Sequence, residues 1–536
     1  MVTGVQTCAL PISQSSGYIT KIQEFPIEEV HDPRKAKVSR TQLLSEHATL
    51  SFLLTSIYHK LFNRFLKIEH SLGSGYYCTD SEDAPISEES VNKMKNELIS
   101  LLNSDVEIKK VRIARADLVN FFIEQKYSDK LGLLKTWYDD YITCIQCGDY
   151  IDYALEPMST DKERLKIFEL RTYANGIILR FPTLLTPNVI QEWNDPRALF
   201  DMFSEYREWA KLINCDTVSK LNDIIYHRKI DDLKWIAEGL HEQKLAKIAN
   251  HLIKNFPEKR IITIAGPSSS NKTTFAMRLA IQLRVNGYDS IVIGMDDYYK
   301  DTCDIPYGSD GLQDFESFSA LNVDILSDNV HRLLEGETVP ARKFDFKKGK
   351  GYYDEKKSNS LPKNSFLIIE GIHGLNPELL MSLGSDHVTP IYVSALTPLK
   401  LDYNHRFPTS DLRLIRRIIR DYRYRGYSPR CTIMRWTSVR VGEERNIFPF
   451  QGNAELFFNS ALVYELPVLS VYGKALLAEA TIPEKDEDPE SPQCQEITRE
   501  ARRLLGLLNF FYPVATEIVP HISCIREFVG GSDLKY

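Results

Sequence analysis

Cysteine is scarce and scattered in this chain: nine residues in 536, an odd number without regular spacing. A disulfide framework is therefore excluded as a source of stability, and a reducing cytoplasm is the default setting. Cys144 and Cys147 form a single CxxC with no second pair at zinc spacing, so they read as buried or unpaired thiols and not as a metal site. Positive charge is not in excess either. The net charge is -7, which argues against a generally basic nucleic-acid binder but leaves room for a local basic patch. No apolar run reaches the length of a membrane span, and there is no internal repeat. The opening MVTGVQTCALPIS lacks the basic start and long apolar centre of a signal peptide, and residues 1–13 read as a non-native leader.

What is present is an ordinary globular composition, 43% hydrophobic and 26% charged. After the leader, residues 14–40 are short and of uncertain character. Residues 41–235 mix helix and strand: SEESVNKMKNELISLL reads as a capped amphipathic helix and GIILRFP as a strand ending at proline. Residues 236–254 read as a linker helix. In residues 255–480 the short apolar runs RIITIAG, DSIVIGMDD, NSFLIIEGIHG and TPIYVSA are separated by helical patterns such as KTTFAMRLAIQLRVNG. That alternation predicts an α/β domain with a parallel sheet covered by helices, preceded by an α+β domain. Residues 481–536 carry the acidic stretch PEKDEDPESPQ, a last helix and a tail.

The segment GPSSSNKTTF, residues 266–275, sits between a strand pattern and a helix pattern. Gly266, Lys272 and Thr273 match the spacing of a phosphate-binding loop, with Asn271 where the second glycine belongs. Unpaired N–H groups at a helix N-terminus favour bound phosphate. Gly266, Ser268, Ser269, Ser270, Asn271, Lys272, Thr273 and Thr274 are thus the candidate nucleotide-binding set. Lys272 is expected at the β- and γ-phosphates, and the Thr273 hydroxyl at Mg²⁺. Asparagine is one of the few residues other than glycine that enter the left-handed region, so the loop is expected to keep its shape. The Asn271 side chain is expected close to the phosphates.

Two carboxylates follow apolar strands. Asp296, in MDDYYKD, is the candidate to accept a proton from an attacking hydroxyl or to position Mg²⁺, with Asp297 as its understudy. Glu370 ends FLIIEG and is a candidate for the metal shell. DLRLIRRIIRDYRYRG then places Leu412, Ile415, Ile419 and Tyr422 on one helical stripe and Arg413, Arg416, Arg417, Arg420 and Arg423 on the other side, continuing to Arg425. Cationic charge of this density suits a mobile lid over a transferring phosphoryl group; a surface helix or an RNA patch is the competing reading.

These stretches, with PTSDLRLIRRIIRDYRYRGYS and NIFPFQGNAELFFNSALVYELPVL, resemble the uridine kinase family, and in particular its long bacterial members with a threonyl-tRNA synthetase-like N-terminal region. LKIEHSLGSGYYC, YSDKLGLL and CGDYIDYALEPM resemble the second additional domain of threonyl-tRNA synthetases, and SCIREFVGGS fits the same long group. The resemblance covers nearly everything after about residue 40 and implies a P-loop kinase that uses ATP or GTP with Mg²⁺ to phosphorylate a nucleoside 5′-hydroxyl, usually of uridine or cytidine. It implies Lys272, Asp296, Arg417 and Arg420 as catalytic residues, Arg416 and Arg425 as further nucleotide contacts, and Thr273, Asp296 and Glu370 as metal residues. His47 and Cys147 are remnants of an editing site, since the partner histidines are missing. A TGS module, common ahead of this region in relatives, does not fit whole into residues 14–40. Lys348 and Lys350 stand where short uridine kinases carry a histidine and an arginine, so base preference is left open. Two other readings remain: a non-catalytic nucleotide sensor or RNA-binding protein, and a P-loop kinase for another small hydroxyl metabolite. Oligomeric state and RNA contact through the N-terminal half are not decided by these residues.

Overall fold

Ile261–Ala265 is five residues, rich in β-branched side chains and all buried. A strand with no solvent face belongs at the centre of a parallel sheet. In the computed structural model, which describes residues 22–25, 27, 38–308, 313–346 and 348–535, it takes that place. The sheet order is Asp289–Gly294, Ser365–Glu370, Ile261–Ala265, Val388–Ser394, Leu456–Asn459, and every neighbouring pair is parallel. The helices Lys272–Val285 and Ile230–Lys254 pack on one face through Phe275, Leu279, Leu245 and Leu252. Val323–Leu334 and Pro377–Ser382 pack on the other through Leu326, Val330 and Leu379. Because all five strands run the same way, Ala265, Gly294, Glu370, Ser394 and Asn459 end at one edge. That edge is where α/β sheets bind ligands. The helix expected from residue 236 begins earlier, at Ile230.

The preceding region is α+β, as its mixed pattern implies. Two four-stranded antiparallel sheets, Ile22–Phe25/Ile108–Ala114/Tyr141–Cys147/Tyr150–Tyr153 and Leu66–Leu72/Gly75–Asp80/Gly176–Arg180/Glu169–Tyr173, are accompanied by the helices Arg40–Phe62 and Glu88–Asn103. The second of these helices starts at the expected cap, where the Ser87 hydroxyl accepts from the Ser90 N–H. Cys144 and Cys147 lie buried in one strand, and burial pushes both thiols up. The segment 1–13 and most of 14–40 lie outside the described residues.

The two regions meet at residues 395–408, which connect the Val388–Ser394 strand to the helix Thr409–Tyr424. The Ile68 N–H donates to the Tyr403 carbonyl at 2.8 Å, and the Asn404 side-chain amide donates to the Leu66 carbonyl at 2.9 Å. Lys130, fully buried, lies 2.6 Å from Asp152 and 3.5 Å from Asp402. Asp152, Asp402 and His405 are close enough together to suggest a metal site, but the Lys130 ammonium already supplies their positive charge. A buried charge needs such a partner. Among the described residues no helix is long and apolar enough to cross a membrane.

Candidate active site

The loop leaves the central strand at Gly266, and no larger residue could stand there: an added Cβ would lie 2.0 Å from the Val393 carbonyl oxygen. Two non-glycine residues in the loop are left-handed, Ser269 at φ 59° and Asn271 at φ 67°, ψ 33°. The expected backbone of Asn271 is therefore present. Its side chain departs from expectation. It is buried, and its amide nitrogen donates to the Cys524 carbonyl at 3.0 Å and to Glu527 at 2.8 Å, both in the C-terminal tail. It points into protein and not into the cradle. The reason is chemical: the tail offers two acceptors to an NH₂ group that would otherwise be buried unpaired.

The hydroxyls of Ser269 and Ser270 are buried and have no hydrogen-bond partner among the described residues. Orphaned donors of this kind, at the N-terminus of the helix Lys272–Val285, are what an anion would satisfy. Lys272 opens that helix and donates to the Pro267 carbonyl at 3.3 Å. The Thr273 hydroxyl donates to Glu370 at 2.9 Å, and the Thr274 hydroxyl to Glu527 at 2.5 Å.

Facing the loop are three carboxyl groups, Asp296 open to solvent in the cleft and Glu316 and Glu370 partly buried. Asp296 lies in the short turn Met295–Tyr298 directly after its strand. Protein packed around the cleft raises its carboxyl by desolvation, opposed by the charges of Lys272 and Arg425, while Asp297 adds to the rise. Glu370 ends the adjacent strand, and burial pushes it up to about 7 against the pull of Lys272 and the Thr273 hydroxyl. Glu316 is the third. Burial also takes it to about 7, with Glu443 and Asp296 adding to the rise and Arg417 and Lys272 opposing it. Lys272 thus acts electrostatically on all three. Asp297 instead pairs with Lys343 at 2.6 Å.

The raised carboxyls predict a pH dependence. Glu316 and Glu370 bind a proton more tightly folded than unfolded, so the stability of the ligand-free protein falls as pH rises from the ordinary carboxyl range to about 7. Each group contributes on the order of 3 kcal/mol to that fall. Denaturant unfolding at about pH 5 and about pH 8 measures it; Glu316→Gln and Glu370→Gln should each flatten the difference, and an unchanged difference would count against the raised values.

The arginine helix corrects the sequence reading. Of the arginines expected opposite the apolar stripe, Arg413 and Arg416 are buried, while Tyr422, placed on the stripe, is half-exposed. Arg413 pairs with both oxygens of Glu443 and donates to the Ser268 carbonyl at 3.0 Å. Arg416 donates to the Ser269 carbonyl at 3.1 Å and pairs with Glu465. The helix is packed into the core against the underside of the loop instead of standing over it as a detached lid. Buried carboxylates opposite the guanidinium groups allow this. Arg416 has both terminal nitrogens committed to protein acceptors, so it shapes the loop instead of facing the ligand. Arg417 remains at the cradle, donating to the Ser268 hydroxyl at 2.8 Å. Arg420 pairs with Asp421 at 2.8 Å, and Arg425 is half-exposed at 3.6 Å from the same carboxylate.

Sequence reasoning missed Glu316, Glu443 and Glu527. Glu443 accepts from the Ser268 N–H at 3.1 Å and is held by Arg413 and Arg440. None of the three follows an apolar strand, so none carried a local signal. His47, which the resemblance made at best a remnant of an editing site, is stacked on Phe181 with its ring 4.1 Å away, and burial lowers it to about 4. A cavity of about 510 Å³ lies elsewhere, between the helix Arg197–Leu212 and the strand Leu456–Asn459, and lacks the loop's anion-binding geometry.

Residues 261–463 match the Phosphoribulokinase / Uridine kinase family. A uridine kinase of Bacillus pumilus is 29% identical over 179 residues, which is 33% of this chain and 75% of that protein. A threonine–tRNA ligase of Latilactobacillus sakei is 33% identical over 101 residues, 19% of this chain and 15% of the ligase. Among solved structures, a possible uridine kinase from Bacillus stearothermophilus aligns at 15% identity and a TM-score of 0.28, covering 40% of this chain and 98% of the other. The C-terminal region is thus similar to the phosphoribulokinase/uridine kinase family, and the N-terminal region has a segment similar to threonyl-tRNA ligases.

Proposed function

We propose that the protein transfers the terminal phosphoryl group of ATP or GTP to the 5′-hydroxyl of a nucleoside, with Mg²⁺ and with a uridine- or cytidine-like acceptor. One observation carries the reading: the Lys272 ammonium lies between an anion cradle with orphaned hydroxyls and the carboxyls of Asp296, Glu316 and Glu370, on all three of which its charge acts. Phosphoryl transfer asks a protein mainly to position its reactants and to supply charge, and this arrangement does both. Relatives that the chain matches include uridine kinases.

In this reading Gly266 and residues 268–274 hold the triphosphate, with Asn271 contributing its backbone. Lys272 stabilises charge on the β- and γ-phosphates. Thr273, Asp296 and Glu370 are the donor set that suits Mg²⁺: hard oxygen ligands, two of them carboxylates. When bound there, the ion would neutralise phosphate oxygens and hold them in line. Asp296 takes the proton of the attacking hydroxyl. Arg417 sits where the transferring group gains charge, and Arg420 and Arg425 supply the outer positive field.

The test is a panel of nucleosides, ribulose phosphate and pantothenate offered with Mg·ATP to the full chain. Conversion of a pyrimidine nucleoside to its 5′-monophosphate is the expected result. Turnover of a non-nucleoside would move the acceptor class. ATP binding with no turnover across the panel would favour a nucleotide sensor.

A further inference from the structure

The second glycine of the phosphate loop is replaced by Asn271, and the replacement has a partner 256 positions away. Asn271 keeps the left-handed backbone, φ 67° and ψ 33°, that glycine adopts freely and other residues adopt at a cost. Its amide nitrogen is held by two acceptors of the C-terminal tail, the Cys524 carbonyl at 3.0 Å and Glu527 at 2.8 Å. A carboxylate is an acceptor only, so it fixes which end of the amide faces it. The same Glu527 oxygen accepts from the Thr274 hydroxyl at 2.5 Å, joining the loop's last residue to the first turn of its helix.

The rest of the tail supports this contact. Ser523, Cys524, Ile525 and Phe528 are fully buried. Arg278, on the loop helix, donates to the Cys524 sulfur at 3.3 Å. The Arg416 guanidinium lies 5.0 Å over the Phe528 ring while donating to the carbonyl of Ser269, the other left-handed loop residue. Both strained positions are therefore supported from the side away from the cradle.

We infer that the C-terminal tail is a latch on the phosphate loop, in which Glu527 is a positioning residue that compensates for the missing glycine by holding Asn271 in its left-handed conformation. Its consequence for catalysis rests on the nucleotide reading above; the latch itself is a property of the free protein.

The experiment is a double-mutant comparison in the full chain: Glu527→Ala, Asn271→Gly and the two together. Amide hydrogen exchange of residues 268–274 is read without ligand, and Mg·ATP binding is read by calorimetry. Glu527→Ala should speed loop exchange about tenfold and weaken ATP binding by a similar factor. In the Asn271→Gly background the same change should have little effect, because glycine needs no support there. Glu527→Gln should exchange close to the original rate, since its carbonyl can accept the same two bonds. Equal effects of Glu527→Ala in both backgrounds, or no effect on loop exchange, would overturn the latch. Coupled exchange in a protein that binds no nucleotide would keep the latch and remove the proposed function. If Glu527→Ala does not fold, Glu527→Asp, whose shorter side chain withdraws the carboxylate, is judged by the same criteria.

Discussion

Lys272→Ala should lower kcat by about 10³-fold or more. A single neutral donor aimed at developing charge is worth about 10²–10³-fold, and Lys272 carries a full charge in a partly buried site. The substitution also removes the cation that acts on Asp296, Glu316 and Glu370. Their carboxyls should rise further, and the loss of stability between acid and neutral pH should steepen. Lys272→Met separates the effects, because it keeps the stem and removes only the charge. Circular dichroism checks that the fold persists, and single-turnover kinetics reads the chemical step. A variant with kcat within about tenfold of the original would take Lys272 out of the proposed chemistry.

Asp296→Asn should slow the chemical step by about 10²–10⁴-fold, the usual range for a general base, and by more than it weakens ATP binding. The geometry motivates the separation. Asp296 is open to solvent in the cleft, within electrostatic reach of Lys272 and Arg425, whereas the loop amides that would hold the triphosphate belong to a different element. Asparagine preserves size and hydrogen bonding but cannot take a proton. Asp297→Asn is the control, since Asp297 is committed to Lys343. Equal losses in kcat and ATP affinity would argue that Asp296 binds instead of reacting, and a larger kcat effect at Asp297 would move the role there.

Much of the site could be read in the chain. The strand–loop–helix order around residue 266 is local, and so is the placement of Asp296 and Glu370 just beyond apolar strands. The left-handed backbone of Asn271 follows from which residues tolerate it. The arginine pattern was misread for a physical reason. A helical wheel assumes that charge faces water, but Arg413 and Arg416 meet Glu443 and Glu465, which lie 30 and 49 positions further along. No periodicity announces a partner at that distance. The same holds for Glu316, whose place near Glu443, Arg417 and Lys272 depends on elements brought together only by folding.

Amino-acid order alone determined the elements and their chemistry: a buried β-branched strand, a loop of phosphate-binding spacing at its end, a lysine and threonine opening the next helix, and acids at neighbouring strand tips. These are set by contacts within a few residues and by the rule that fully apolar strands lie inside a parallel sheet. Tertiary structure alone decided which charges are shared. It put Lys272 among three carboxyls, turned two arginines inward beneath the loop, and brought the tail against Asn271. Electrostatic energy depends on distance through space and on burial, and neither is written in the spacing of residues along the chain.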